Sequence, residues 1–389
     1  MRKIIHLDLD AFFCAVEEQR DPSLAGKPFA VGGKPDERGV VASCSYAARQ
    51  HGVRSAMAMS QALRLCPTLL IIPARHRTYG DVSRQVMARL HSLTPLVEQL
   101  SIDEAFLDVS DLGEPAETIA RRLQTTIRSE LRLPCSLGVA SNKLVAKIAN
   151  NVGKAAARGA NPPNAITVVP PGQEADFLAP LPAGELWGVG PKTAERLAEL
   201  GIHTIGEIAR WPADDLARRF GKHGRELAQH ARGLDERPII TQHERKSISQ
   251  ETTFVRDVTD VVVLHKTLNE QAREVARLLQ RKRLVAATVK LKLRWADFTT
   301  LTRQVTLNPP TDDGALIDHA GVQLLTKAWD GRAVRLIGVG VGGLSAALKQ
   351  MSLWDAPNEK EEKLLAAVQE LRSRFGDQVI RRASELEGE

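Results

Sequence analysis

The chain has 389 residues, 43% hydrophobic and 26% charged, which supplies apolar material for packed cores and excludes a disordered chain. No apolar run approaches the ~18 residues of a membrane span, and the one after Met1-Arg2-Lys3 ends at Asp8, too short for a signal peptide. Lys and Arg exceed Asp and Glu by only 53 to 47, so the location of the charge matters more than its total.

The length predicts two to four domains at roughly 100–200 residues each. Alternation over Lys3–Asp10 predicts a strand with Ile4, His6, Asp8 and Asp10 on one face. A helix follows over Ala11–Gln19, then short strands at Phe29–Gly32 and Gly39–Ala42. Tyr46–His51 and Ser60–Cys66 read as helices, Leu69–Ile72 as a strand, and Arg77–Leu93 as a long amphipathic helix. Val97–Val109 reads as a strand or hairpin presenting acids near its turn. A helix over Glu117–Leu131 and a strand over Pro134–Ala140 come next. Ser141 is the expected N-cap of a helix from Asn142 to about Gly153, and residues 155–165 have loop chemistry.

From Glu174 to Leu234 the pattern is short helices punctuated by glycine, and Asp235–Ser247 reads as a charged linker. Beyond it, strands at Ala287–Leu293, Leu301–Leu307 and Arg335–Val341 accompany helices at Val261–Arg281 and Asp318–Trp329, which suggests a small α+β domain. A spacer, Pro357–Glu362, and an amphipathic helix, Leu364–Phe375, close the chain. Cys14, Cys44, Cys66 and Cys135 have no paired close spacing, so reduced, packed thiols in a cytoplasmic protein are expected. At 4% aromatic, broad stacking on single-stranded bases is not the expected binding mode.

Three acids stand out. Asp8 ends the first strand, and Asp103 and Glu104 sit side by side in an apolar stretch. Adjacent buried acids repel and lose solvation unless a cation neutralises them. Acids from two strands of one sheet can hold two divalent ions ~3.5–4 Å apart, a geometry that clamps both oxygens of a phosphoryl transfer. Oxygen-only ligands select Mg²⁺ or Mn²⁺. Taken singly, each acid reads by default as a turn or strand-end acid facing water. Strict alternation would also send Asp103 and Glu104 to opposite faces, so the idea requires a turn or bulge there.

Four strings resemble the Y-family, or translesion, DNA polymerases, and most of all their bacterial branch. They are Ile5-His6-Leu7-Asp8-Leu9-Asp10-Ala11-Phe12-Phe13, Ala42-Ser43-Cys44-Ser45-Tyr46-Ala47-Ala48-Arg49, Leu100-Ser101-Ile102-Asp103-Glu104-Ala105-Phe106-Leu107-Asp108 and Gly138-Val139-Ala140-Ser141-Asn142-Lys143-Leu144-Val145-Ala146-Lys147. They stand in family order and spacing, and the resemblance runs to about residue 354. It implies an α+β multidomain right hand. A ferredoxin-like palm would take residues 1–10 and 77–170, small fingers 11–76, and an all-α helix-hairpin-helix thumb 171–234. A linker would follow at 235–247, an α+β little finger at 248–345 and a tail at 346–389. It also implies that Asp8, Asp103 and Glu104, with the Leu9 carbonyl, hold two Mg²⁺ ions. Asp10 and Asp108 remain structural.

Tyr46 and Arg49 lie three apart on a predicted helix and so share a face. A hydroxyl beside a guanidinium suits a triphosphate, and Ser43 adds a donor. A surface Arg beside a core Tyr would give the same spacing. The resemblance makes Ser43, Tyr46 and Arg49 triphosphate contacts and Phe13 the steric gate against a ribose 2′-hydroxyl. Lys143, Lys147 and Lys154 can line one helix face, which by default is solvated. The resemblance makes Lys154 a triphosphate contact. A 155–165 loop follows it where the family has a short turn, and Arg158 is the alternative.

Leu186–Leu197 carries a helix-hairpin-helix signature in which Gly188 and Gly190 let a backbone phosphate approach, with Lys192 beside it. Such a contact reads backbone rather than sequence. Residues 241–350 hold 17 Lys and Arg against 11 Asp and Glu, the same surplus as the whole chain. Arg281, Lys282, Arg283, Lys290, Lys292 and Arg294 are concentrated there, and the last three alternate along one strand. Such a row fits binding to a DNA backbone with strong salt dependence; a solvated basic face is the alternative.

Gln350, Met351, Leu353 and Trp354 resemble the peptide by which bacterial polymerases bind the sliding clamp, with Trp354 where Phe is usual. The expected activity is template-directed DNA synthesis of the translesion type, on primer-template DNA and dNTPs, by a monomer with no membrane partner. The residues assigned leave no stretch for a proofreading nuclease. A palm-fold nucleotidyl cyclase would not need the hairpin or the basic sheet, and a non-catalytic relative would not need all three acids.

Overall fold

The computed structural model describes residues 2–347 other than Arg158 and His243, together with Ala367 and Leu371. The Gln350–Trp354 peptide, the Pro357–Glu362 spacer and Arg158 lie outside the described residues, as does nearly all of Leu364–Phe375.

The chain opens with β1 (Ile4–Leu9), α1 (Phe12–Arg20), β2 (Phe29–Gly32), β3 (Val41–Cys44), α2 (Tyr46–Gln50), α3 (Met59–Leu65) and β4 (Leu70–Ile72). Then come α4 (His76–Leu93), β5 (Val97–Gln99), β6 (Glu104–Asp108), α5 (Ala116–Leu131), β7 (Cys135–Ala140), α6 (Lys143–Ala156) and β8 (Ile166–Val168). A helical stretch holds α7 (Glu174–Leu178), α8 (Pro191–Ala198), α9 (Ile205–Arg210), α10 (Ala213–Phe220) and α11 (Lys222–His230). The last unit is β9 (Ser247–Val258), α12 (Val261–Arg281), β10 (Leu284–Trp295), β11 (Thr300–Thr311), α13 (Gly314–Ala328) and β12 (Val334–Ala346).

The first sheet runs β5-β6-β1-β7-β8, and without its last edge strand this is the ferredoxin-like order. Its faces differ as the alternation of β1 predicts. Ile5, Leu7 and Leu9 pack into a core with Val86 and Leu90 of α4 and Ile119, Leu123 and Ile127 of α5. Ile4 and Phe106 pack on the other face, with Leu144, Val145 and Ile148 of α6 and the helical stretch beyond. Gly138 of β7 makes the second packing possible. A Cβ there would lie 1.9 Å from the Ala146 carbonyl oxygen and 2.6 Å from the Asn150 nitrogen, so no side chain fits beneath α6.

The middle of the first domain is a small sheet, β3-β2-β4, with α2 and α3 on its own core of Val41, Met59, Ala62 and Cys66. The helical stretch contains two hairpins, α8 to α9 and α10 to α11. The residues that follow α11 are tied back to the first unit: Asp235 accepts from the Leu144 nitrogen of α6 at 3.0 Å, and the Ile240 nitrogen donates to Glu98 of β5 at 2.8 Å. The C-terminal sheet runs β11-β10-β12-β9, wholly antiparallel. Its helices α12 and α13 cover one face only, over Val289, Leu291, Leu293, Ile337 and Val339. All four cysteines are buried and free of disulfides.

Some expectations need correction. Asn142, not Ser141, caps α6: its side chain accepts from the Val145 nitrogen at 3.0 Å, while Ser141 donates to Glu174. The helix starts one residue later than expected and runs three past Gly153, to Ala156. β3 sits two residues later than expected, and α13 starts four residues earlier. β8 and β9 were not expected at all. β9 is an edge strand in which only Ile248 is fully buried, so it carries no apolar alternation to read.

Candidate active site

Asp8 and Glu104 are direct partners across the antiparallel pair β1 and β6. Asp103 occupies the turn before β6, and its carbonyl accepts from the Leu9 nitrogen at 3.0 Å. That turn is the irregularity that two adjacent acids required. It lets both side chains stay near β1 instead of straddling the sheet. Ser101 fixes it, donating to Asp103 Oδ1 at 2.5 Å and accepting from the Glu104 nitrogen at 3.1 Å.

The face of α6 that carries Lys143, Lys147 and Lys154 is not solvated. It turns onto the sheet, and each ammonium meets an acid there. Lys143 lies 2.8 Å from Glu98, Lys147 2.5 Å from Glu104, and Lys154 2.6 Å from Asp8 and 3.2 Å from Asp10. Burial raises the Asp8 pKa against the opposing pull of Lys154. Glu104 goes the other way. The hydrogen bond from His6, aided by Lys147, outweighs burial and holds it at about 2. Burial lowers the His6 pKa, so the imidazole is neutral at neutral pH. Asp10 is fully buried and accepts from Ser136 Oγ and the Asn164 nitrogen, which fits a structural acid that anchors the loop after α6.

One cavity of about 290 Å³ opens beside Asp8. Phe13, Ser43, Arg49, Asp103 and Lys154 share its wall with Leu9 and with Ser55, which nothing in the sequence singled out. The Phe13 ring is stacked on Tyr79, with centroids 4.2 Å apart and planes 14° apart. Tyr79 in turn donates to Glu17 at 2.6 Å, so the ring has a fixed backing. Tyr46 does not line this cavity: it packs against Arg49, whose guanidinium lies 4.6 Å from the tyrosine ring centre, and faces a separate pocket beside Asp10 and Lys27. Burial raises the Tyr46 pKa, with nearby Asp10 adding to the effect, so the phenol keeps its proton as a donor.

Glu104 does not line this cavity; its carboxylate turns to His6 and Lys147. Among the described residues no three His, Cys, Asp or Glu side chains converge to hold a metal ion as they stand. The donor set nevertheless fits a hard divalent cation. It is all oxygen, it spans adjacent strands, and each outer acid already carries a cation at hydrogen-bond distance. His6, Lys147 and Asn150, which do not line the cavity, stand behind Glu104, a role that the sequence reading missed. The alternation of β1 put His6 on the Asp8 face, and the spacing of α6 put Asn150 between Lys147 and Lys154.

The two DNA-facing candidates lie elsewhere. Gly188 has φ +102°, and Gly190 stands before α8 with open space around its Cα. Lys192 is exposed in the first turn of α8. Lys290, Lys292 and Arg294 lie on the uncovered face of the C-terminal sheet, opposite buried Val289, Leu291 and Leu293. Arg281 ends α12, and Lys282 and Arg283 form the turn that leads into β10; all three are exposed. Lys292 is already paired with Glu251 at 2.7 Å.

An acid-bearing sheet with a cavity beside it, helical hairpins and a basic sheet together have the layout of a DNA polymerase hand. Residues 7–151 match the impB/mucB/samB family, residues 245–353 its C-terminal domain, and residues 184–235 the DNA polymerase-iota thumb domain. The chain belongs to the Y-family of DNA polymerases. It is 42% identical to DNA polymerase IV of Listeria monocytogenes serotype 4b over 88% of this chain and 95% of that one. With DNA polymerase IV of Desulfatibacillum aliphaticivorans the identity is 40%, over 98% and 96%. A solved Y-family DNA polymerase chimera, Dbh-Dpo4(243-245)-Dbh, is 28% identical with a TM-score of 0.79, over 88% of this chain and 99% of that one. The insertion ternary complex of Dbh DNA polymerase is 27% identical with a TM-score of 0.62, over the same shares. Among the described residues no helix is long and apolar enough to cross a membrane.

Proposed function

We propose that this polymerase extends a primer by two-ion nucleotidyl transfer from dNTPs, without proofreading, and copies damaged templates. The observation that carries this is the register pairing of Asp8 with Glu104 beside a cavity walled by Phe13, Ser43, Arg49, Asp103 and Lys154. Asp8, Asp103, Glu104 and the Leu9 carbonyl would hold the ions, as Mg²⁺ or Mn²⁺. When bound, these ions lower the pKa of the primer 3′-hydroxyl and neutralise charge on the triphosphate.

The rest is done by the chain. Arg49 offers a planar fork of donors to phosphate oxygens, with Ser43 and the protonated Tyr46 beside it. Lys154, which pairs with Asp8 and lines the cavity, would contact the triphosphate, and Asp8 would then be free to hold an ion. Phe13, backed by Tyr79, blocks a 2′-hydroxyl. The hairpin at Gly188–Lys192 and the row Lys290, Lys292 and Arg294, with Arg281–Arg283, hold the DNA backbone. The hand divides as palm 1–10 and 77–170, fingers 11–76, thumb 171–234, linker 235–247 and little finger 248–345. Gln350, Met351, Leu353 and Trp354 supply the sequence features of a sliding-clamp peptide.

Primer extension on an undamaged template with Mg²⁺ and four dNTPs tests the reading. The wild type extends the primer and Asp103→Ala/Glu104→Ala does not. Equal extension by both would reject it.

A further inference from the structure

Among the described residues, Glu104 is held by one oxygen only. His6 Nε2 lies 3.2 Å and Lys147 Nζ 2.5 Å from Oε2, and neither contact reaches Oε1. His6 is wholly buried, with its ring 4.8 Å from that of Phe106. Its other nitrogen, Nδ1, lies 2.9 Å from Asn150 Nδ2. The amide orientation is fixed independently. Nδ2 also lies 3.1 Å from the Ser136 carbonyl oxygen, which can only accept. Asn150 therefore donates to Nδ1, and the ring proton sits on Nε2, where it donates to Glu104.

We propose that Asn150 is a positioning residue for the metal-holding acid. It sets the Nε2–H tautomer of His6, so that His6 and Lys147 together grip Oε2 and present Oε1 to a divalent ion. The inference rests on Glu104 being one of the acids that hold the ions. Asn150 and Lys147 are three apart on α6, so one helix supplies both the orienter and the second clamp. The arrangement follows the rule that a group behind a ligand fixes its tautomer and orientation, and its loss typically weakens metal binding about 10–100-fold. Gly138 is the condition for it, because only a glycine lets the backbone of α6 reach the sheet at this level.

The test uses the full-length chain without DNA or nucleotide, with Mn²⁺ titrated in and followed by electron paramagnetic resonance. Ring ¹⁵N shifts of His6 are recorded before the metal is added. The wild type shows a protonated Nε2 and a bare Nδ1. Asn150→Leu mixes the tautomers and weakens Mn²⁺ at least about tenfold. His6→Phe weakens it similarly, while His6→Gln, which keeps a donor to Oε2, recovers most of the loss. These two variants decide the matter if Asn150→Leu does not fold. Primer extension by Asn150→Leu loses kcat at unchanged KM for dNTP. A protonated Nδ1 in the wild type, or Mn²⁺ affinity indifferent to Asn150→Leu or His6→Phe, overturns the inference. Glu104→Gln separates the two failures. If it weakens Mn²⁺ while Asn150→Leu does not, only the role of Asn150 falls. If Glu104→Gln has no effect, both readings fall.

Discussion

The palm sheet, antiparallel except where β7 meets β8, and the wholly antiparallel little-finger sheet each pack two helices against one face, yet they treat charge oppositely. The palm sheet is covered on both faces. Its acids meet lysines from α6, and the Lys143–Glu98 pair has side chains only 3% and 5% exposed. The little-finger sheet is covered on one face, and its cations stand on the other, where Lys290 is exposed. Coverage, rather than topology, decides what a sheet can do. A covered polar face gives strong, fixed electrostatics suited to chemistry. An open basic face gives a salt-sensitive grip that tolerates any sequence.

The largest effect that would sharpen this contrast concerns stability. Lys143→Met strips the ammonium from buried Glu98, and breaking such a pair costs about 3–5 kcal/mol. Chemical denaturation checks this; a loss below about 1 kcal/mol would place Glu98 in contact with solvent instead. The second concerns the cavity. Phe13→Ala removes the wall backed by Tyr79, and ribonucleotide incorporation rises at least about tenfold, equivalent to ~1.4 kcal/mol of lost discrimination. Unchanged sugar selectivity in single-nucleotide insertion would remove Phe13 from that role.

The smallest effect lies in the little finger. Lys290→Ala reduces the slope of log affinity against log salt by about 0.9, the value for one phosphate contact. Lys292→Ala reduces it by less, because Glu251 already neutralises that side chain. Equal slopes for the two would mean that the Glu251 pair opens on DNA.

Much of the palm was legible because its signals are local. The alternation of β1 put Asp8 and His6 on one face, and the paired acids at 103 and 104 demanded the turn that exists. The lysines of α6 were placed on one face correctly, but their solvated default was wrong. Helical period states which residues point together and not what they point at. The pairing with Glu98, Glu104 and Asp8 is tertiary and depends on Gly138 bringing α6 close. β9 and β8 escaped for a different reason. One is a polar edge strand and the other three residues long, so neither carries a pattern that distinguishes it from loop. In the little finger, the row on β10 was legible because one strand holds all of it. The Glu251 partner, on β9, was not.

Single-turnover kinetics with DNA affinity measured in parallel test the separation most directly. The account predicts that Asp103→Ala/Glu104→Ala abolishes nucleotide insertion while binding primer-template within about twofold of the wild type. It predicts that Lys290→Ala/Lys292→Ala/Arg294→Ala weakens binding about tenfold or more at moderate salt, yet inserts at the wild-type rate once DNA is saturating. A palm variant that loses DNA binding, or a little-finger variant that stays slow at saturation, would contradict it.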